Sequence, residues 1–194
     1  HPLDFGVASE LNYKEIATSL EDQFFALDGL VHCAGILGPR TPIEFYSADD
    51  WELTMRINVS AAFLLTKYLL PFLKKSMDGR VVFTSSSVGR KARGHWGAYA
   101  VSKFALEGLM QVLADELDNT SKIRINSLNP GGVRTAMRRT AYPAENPSAN
   151  PPPEVLMPLY LYLFSSESRN INGQALNFKD FNPSIYSRPA QSDE

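Results

Sequence analysis

The chain alternates short apolar runs with longer segments of helical periodicity, and this alternation constrains the fold more than any other feature. Three strand-like runs occupy 29–35, 80–84 and 123–128. Helices are predicted at 11–25, from Asp49 or Asp50 to about Lys75, at 99–118 and at 154–164, with a last short strand at 172–177. Strands joined by helices of this length form a parallel sheet that is covered on both faces. The sequence therefore predicts an α/β fold.

Composition excludes several other classes of protein. The 194 residues carry 19 basic and 21 acidic side chains, so bulk charge gives no reason to expect a nucleic-acid partner. The single cysteine, Cys33, excludes an intramolecular disulfide and favours the cytoplasm. The three histidines are scattered, which predicts no metal site, and no apolar run approaches the roughly 20 residues that span a bilayer.

Proline marks the main irregular segment. Residues 142–153 contain five prolines and show no periodicity, so a flap over 133–153 is predicted to cover the ligand. The last stretch, 179–194, is polar and rich in turn-forming residues, and it is predicted to be a frayed tail. The predicted domain therefore covers residues 1–178.

One helical pair could carry proton-transfer chemistry. Tyr99 and Lys103 are four residues apart, which places both side chains on one face of a helix. An ammonium about 4 Å from a phenol could lower the phenol pKa by up to roughly three units. A tyrosine tuned in this way can exchange a proton near neutral pH. Such a pair also arises by chance on a protein surface.

Two further polar residues have a functional and a structural interpretation. Ser86 ends the 80–84 strand region, thirteen residues before Tyr99, where strand ends and helix starts face the same crevice. It could contact the substrate oxygen that Tyr99 protonates, or it could belong to a polar turn. Asn58 interrupts an apolar helix; its amide could bond a backbone carbonyl, or it could hold a water that connects to Lys103. A serine hydrolase using Ser86 is excluded because there is no Gly-x-Ser-x-Gly elbow.

These residues together resemble the short-chain dehydrogenase/reductase family of nicotinamide-dependent oxidoreductases. Ser86, Tyr99-x-x-x-Lys103 and Asn58 have the spacing of the family's catalytic residues. The segments 32–35 (His-Cys-Ala-Gly) and 129–135 (Asn-Pro-Gly-Gly-Val-Arg-Thr) resemble its motifs after strands four and six. Leu3-Asp4-Phe5 resembles the element at the end of strand three. The resemblance covers about residues 3–177. Within the family, the chain is similar to a bacterial branch of oxidoreductases. Membership implies a Rossmann-type doubly wound sheet.

The resemblance also implies roles. Tyr99 would be the general acid in carbonyl reduction and the base in alcohol oxidation, with Lys103 lowering its pKa, Ser86 polarising the carbonyl and Asn58 anchoring a relay water. NADP or NAD is implied as cofactor, with a preference for NADP, and a small carbonyl or alcohol as substrate. The implied cofactor-binding residues are Asp4, Phe5, Cys33, Ala34, Gly35, Tyr99, Lys103, Pro130, Gly131, Val133 and Thr135.

Some family features are missing from the sequence. Cys33 replaces the usual Asn, the usual Asp-Gly-Gly is absent after 174–177, and nothing matches the family's Gly-rich pyrophosphate loop. Strands one and two are therefore expected to be absent from this chain, and residues 1–194 alone are expected neither to bind nucleotide nor to form a stable domain. The alternative to an enzyme is an inactive remnant that serves as a binding or assembly module. In either case, the apolar helices at 51–73 and 99–117 predict a homodimer or homotetramer.

Overall fold

The computed structural model describes residues 2–182 and contains one parallel sheet. Its strands are β1 (Gly29–His32), β2 (Arg80–Thr84), β3 (Arg124–Asn129) and β4 (Ala175–Asn177), arranged in the order β1-β2-β3-β4. The register pairs Val31 with Val82 and Val82 with Asn126. Each strand lies beside its predecessor in the chain, so each connection is a crossover with a parallel partner, as the alternating pattern predicts.

The helices that connect and flank the strands match most of the predicted segments. They are α1 (Glu10–Glu21), α2 (Ala48–Met55), α3 (Ala61–Lys75), α4 (Gly97–Asp118), α5 (Ala136–Ala141) and α6 (Met157–Leu163). A five-residue π-helical turn, Arg56–Ser60, joins α2 to α3, so the predicted long helix is present with one wider turn inside it. The N-cap of α2 is Ser47, whose hydroxyl accepts from the Asp50 amide, and neither Asp49 nor Asp50 is the cap.

Apolar side chains on β2 alternate between the two faces of the sheet. Val81 and Phe83 are fully buried against α3 and α4, where Leu73 and Met110 belong to the same cluster. Val82 points the other way and packs with Leu159 and Leu163 of α6. The sheet is thus covered on both faces, which confirms the predicted doubly wound α/β fold.

Some predicted boundaries are wrong. Leu3-Asp4-Phe5 is not assigned to a strand; Asp4 instead starts a turn in which its carbonyl accepts from the amides of Val7 and Ala8. No described strand lies beside it. The first predicted strand ends at His32 instead of residue 35, and the predicted flap contains a helix, α5, that proline-rich composition did not reveal.

The C-terminal part of the chain packs further than predicted. Phe181 belongs to the same cluster as α6, and its ring centre lies 5.6 Å from that of Tyr162. The first residues of the predicted polar tail are therefore attached to the domain. The remainder of that tail, residues 183–194, lies outside the described residues.

Candidate active site

A cavity of about 400 Å³ lies at the carboxyl ends of the strands, where ligands bind in sheets of this type. Nine of the predicted site residues line it: Cys33, Gly35, Ser86, Tyr99, Lys103, Pro130, Gly131, Val133 and Thr135. The structure thus brings together residues from three strand ends and from α4 that are far apart in sequence. Much of the remaining lining is apolar or aromatic, and the flap and α6 contribute several of these side chains.

Regular elements position three of the four candidate catalytic side chains. Ser86 lies two residues after the end of β2, and its extended backbone lets its hydroxyl accept from the Val88 amide at 3.4 Å. Tyr99 lies in the first turn of α4, and Lys103 lies one turn later on the same face. We call Ser86, Tyr99 and Lys103 the floor of the cavity. Tyr99 is 8 % exposed and Lys103 is 5 % exposed, so solvent reaches both groups only through the cavity.

The ammonium of Lys103 is held by the backbone. Its Nζ donates to the Thr84 carbonyl oxygen at 2.7 Å and lies 5.6 Å from the centre of the Tyr99 ring. Burial lowers the pKa of Lys103 to about 8, and the nearby Cys33 and Glu107 act in the opposite direction. The group therefore carries its charge at neutral pH and loses it within one or two pH units.

The pKa of Tyr99 is raised above 10, not lowered as the sequence predicts. Burial of the phenol disfavours the phenolate and outweighs the opposing hydrogen bond with Ser86. The expectation was wrong because it counted the charge of Lys103 but not desolvation. The Lys103 ammonium also interacts with the Thr84 carbonyl. In this state Tyr99 is a proton donor at neutral pH.

Asn58 uses its amide to join three segments. Its Oδ1 accepts from the Ile36 amide at 2.8 Å, and its Nδ2 donates to the Ile36 carbonyl at 2.9 Å and to the Ser102 hydroxyl at 3.0 Å. The Ser102 hydroxyl in turn donates to the Tyr99 carbonyl at 2.8 Å. Asn58 therefore links the loop after β1 to the first turns of α4. The π-helical turn that carries it is a feature found often at functional sites.

Two glycines and a serine shape the backbone beside the cavity. A Cβ on Gly35 would lie 3.2 Å from Asn58 Oδ1, a tight contact, and 3.8 Å from Lys103 Nζ, so the backbone of Gly35 passes close to both side chains. Gly131 has a φ of 73° and open space beside it. The buried Ser85 hydroxyl has no hydrogen-bond partner, although Ser85 lines the cavity. These residues fit the nicotinamide end of a dinucleotide.

The remaining predicted site residues lie elsewhere. Phe5, Ala34 and Asn58 line a second, smaller cavity of about 80 Å³ beside β1 and α3, and Cys33 lines both cavities. Asp4 lines neither; its carboxylate is exposed and accepts from the Gly6 amide at 2.8 Å. The described part of the chain therefore separates Asp4 and Phe5 from the floor, and their cofactor role stays a prediction.

The sequence analysis missed an aromatic group that closes the cavity. The ring centre of Trp96 lies 5.8 Å from that of Tyr99 and 6.0 Å from that of Tyr142 in the flap. The guanidinium carbon of Arg40 lies 4.6 Å from the Trp96 ring centre and 5.3 Å from that of Tyr142. Arg40 also donates to the Ala141 carbonyl at the end of α5. This arginine fastens the flap to the rest of the site.

Tyr160 of α6 was also missed. Its hydroxyl pairs with the Thr84 hydroxyl at 2.9 Å, and it lines the cavity beside the floor. Burial raises its pKa, so it is neutral at physiological pH. Its only signal in the sequence was the apolar periodicity of α6, which indicates burial but not a position at the site.

Other kinds of site are not seen in the described residues. Among residues 2–182, no group of three or more His, Cys, Asp or Glu side chains could hold a metal ion. Within the same residues, no helix is long and apolar enough to cross a membrane. His95, the nearest histidine to Ser86 in sequence, is exposed and has a φ of 66°.

Comparison with known proteins agrees with this geometry. Residues 1–146 match the family model of short chain dehydrogenases. The uncharacterised oxidoreductase YciK of Escherichia coli K12 is 46 % identical over 175 residues, which are 90 % of this chain and 69 % of that protein.

Solved structures show the same similarity. A short chain dehydrogenase of Pseudomonas syringae is 55 % identical, with a TM-score of 0.89 over 91 % of this chain and 72 % of its own. A short chain dehydrogenase of E. coli CFT073, solved in complex with NADPH, is 46 % identical, with a TM-score of 0.87 over 90 % of this chain and 72 % of its own.

Proposed function

Because the chain belongs to the short chain dehydrogenase family, and is thus an NAD(P)-dependent oxidoreductase, we propose that it interconverts a carbonyl and an alcohol with Tyr99 as the general acid and base. The observation that carries this proposal is the shared cavity of Ser86, Tyr99 and Lys103. The three groups come from a strand end and one helix face, and together they supply two hydroxyls and a cation.

Ser86 and Tyr99 act on the substrate oxygen. In reduction, the carbonyl oxygen accepts hydrogen bonds from both hydroxyls, and Tyr99 gives up its proton as the alcohol forms. The cofactor supplies the hydride in this direction and accepts it in the other. Burial raises the pKa of Tyr99, so the phenol keeps the proton that it would donate in reduction.

Lys103 and Asn58 support that proton transfer. In this proposal the Lys103 ammonium stabilises the negative charge that develops on the Tyr99 oxygen, and it would contact the ribose beside the nicotinamide. Asn58 fixes α4 against the loop after β1 through Ser102 and Ile36. Gly35, Pro130, Gly131, Val133 and Thr135 would hold the nicotinamide end of the cofactor.

NADP(H) is the cofactor that we propose, since a similar protein from E. coli CFT073 was solved with NADPH. We also place the reaction in the cytoplasm, where the single cysteine would remain reduced. The choice of cofactor is tested by assay of the full-length protein. NADPH consumption with a panel of carbonyls, and NADP⁺ reduction with alcohols, should exceed the NADH and NAD⁺ rates.

Absence of turnover with every nucleotide and substrate would favour the inactive assembly module instead. The product must be the alcohol in an amount equal to the NADPH consumed, since one hydride leaves each nicotinamide. NADPH loss without alcohol formation would contradict the proposed reaction.

We further propose a homodimer or homotetramer built through the helices at 51–73 and 99–117. The support is an apolar surface on α3 and α4: Phe63, Val101, Phe104 and Val112 are between 42 % and 54 % exposed. Sedimentation at micromolar concentration should give a dimer or tetramer. A monomer at that concentration would contradict this assembly.

A further inference from the structure

Few charged side chains line the cavity. Among its described lining residues, Lys103 and Arg138 are cationic and none is a carboxylate. Lys103 belongs to the floor and donates to the Thr84 carbonyl. Arg138 is therefore the lining residue that could receive an anionic substituent of the substrate.

Arg138 is already paired with a carboxylate of the flap. Its Nε and Nη2 donate to the two carboxylate oxygens of Glu145, each at 2.6 Å, which is the bidentate geometry of a strong ion pair. Asn150 also donates to Glu145 at 2.8 Å. The Arg138 guanidinium lies 3.9 Å from the centre of the Tyr142 ring, so one of its faces is covered as well.

Most of the rest of the lining near the flap is apolar or aromatic. It includes Leu37, Trp96, Met137, Tyr142, Leu156 and Met157. Transfer of a carboxylate into such surroundings costs free energy unless a cation compensates it. An uncharged carbonyl compound with an apolar or aromatic body has no charge to desolvate, and it can contact the same apolar side chains.

We infer that the site takes uncharged, apolar carbonyl substrates, and that Glu145 determines this specificity by cancelling the charge of Arg138. This inference rests on the proposed reduction of a carbonyl. Glu145 does not line the cavity, so it acts through Arg138 and is a specificity-determining residue, not a catalytic one.

Matched substrates test the inference in the full-length protein. Methyl benzoylformate and benzoylformate share the reacting ketone and the phenyl ring and differ in an ester against a carboxylate. With NADPH, the wild type should show kcat/KM at least about tenfold higher for the ester, equivalent to about 1.4 kcal/mol. The variant Glu145→Gln should narrow this ratio by raising kcat/KM for benzoylformate.

Opposite changes should have opposite effects. Arg138→Gln leaves the Glu145 carboxylate uncompensated and should widen the ratio, whereas loosening of the flap alone would affect both substrates and both variants in the same direction. Glu116→Gln, an exposed position on α4, should leave the ratio unchanged. Equal turnover of both substrates by the wild type, or an unchanged ratio in Glu145→Gln, would overturn the inference.

Binding separates this inference from the proposed function. Calorimetry on the NADP⁺-saturated protein compares benzamide with benzoate, which need no turnover. The wild type should prefer benzamide by about tenfold, and Glu145→Gln should reduce that preference. If neither benzoylformate compound is reduced but benzamide is preferred, the proposed reaction is weakened and the charge selectivity stands. Equal binding of the two compounds would overturn the selectivity.

Discussion

The floor and the flap of the cavity are built in different ways. Ser86, Tyr99 and Lys103 of the floor are held by β2 and α4, and their order in the cavity follows from the strand end and from helical spacing. The flap at 133–153 contains one short α-helix, α5, and a 3-10 turn at Pro147–Ala149, and its shape depends on individual side-chain contacts such as Arg138 with Glu145. Regular structure thus fixes the groups that we propose for the chemistry, and irregular structure shapes the space for the substrate.

This difference predicts that a substitution in the first turn of α4 lowers stability and turnover more than a substitution in the flap. A Cβ on Gly97 would lie 2.2 Å from the Tyr46 ring, and the φ of 35° already disfavours other residues. Gly97→Ala should therefore shift the helix start that carries Tyr99, lower the free energy of unfolding by about 1–3 kcal/mol and reduce turnover at least about tenfold. Denaturant unfolding and steady-state rates measure these effects.

Gly108→Ala is the matched control on the same helix. A Cβ there meets nothing within 4 Å, so the variant should keep full activity and gain up to about 1 kcal/mol of stability from higher helix propensity. If the two alanine variants behave alike, the contact between Tyr46 and Gly97 does not position the floor.

Within the floor, Lys103 predicts a pH effect. Its ammonium should lose its proton as the pH rises through about 8, so nucleotide affinity of the wild type should fall across that range. Lys103→Met should bind nucleotide about tenfold more weakly at pH 7 and show no such decline. Fluorescence titration at several pH values checks both statements. If the nucleotide affinity of the wild type does not vary between pH 7 and pH 9, the Lys103 ammonium does not contribute to cofactor binding.

The same group affects stability with a defined sign. The pKa in the folded protein, about 8, is below the ordinary value of 10.5, so the unfolded chain binds more protons between these values. The free energy of unfolding contributed by Lys103 therefore rises with pH from about 8 to 10.5. Lys103→Met should have a flatter pH dependence over this window in urea denaturation.

A smaller effect is expected where Arg40 fastens the flap. Arg40→Met keeps much of the side-chain volume but removes the charge that lies over Trp96 and Tyr142. A cation–π contact is worth about 1 kcal/mol, so the KM of the carbonyl substrate should rise about fivefold while nucleotide affinity stays unchanged. Arg139→Met, an exposed arginine on α5, is the control. An equal KM in both variants would show that Arg40 does not hold the flap.

The contrast also explains what the sequence could predict. The strand and helix order, the doubly wound sheet and the meeting of Ser86 with Tyr99 follow from periodicity and spacing, because these set the direction of each side chain. Helix α5 escaped prediction since six residues give too short a pattern for a period. Arg40 and Tyr142 are about a hundred residues apart, and no local signal shows that they meet at Trp96.

Electrostatics gave the clearest wrong expectation. The sequence places Lys103 beside Tyr99 but does not show how deeply both are buried. Desolvation therefore raised the pKa of Tyr99 where pairwise attraction alone predicted a decrease. The sequence left open whether the amide of Asn58 is structural or holds a water. Its two N–H groups donate to the Ile36 carbonyl and the Ser102 hydroxyl, so both of its hydrogens are used within the protein.

The most direct test of the floor is the loss of one hydroxyl. Tyr99→Phe should reduce NADPH-dependent carbonyl reduction by about 10²–10⁴-fold, because it removes the proposed proton donor without changing the packing volume. Nucleotide affinity should stay within about twofold of the wild type. Tyr160→Phe, a second phenol in the same cavity, should retain most of the rate. A Tyr99→Phe variant that keeps more than about a tenth of the wild-type rate would contradict its role as the general acid.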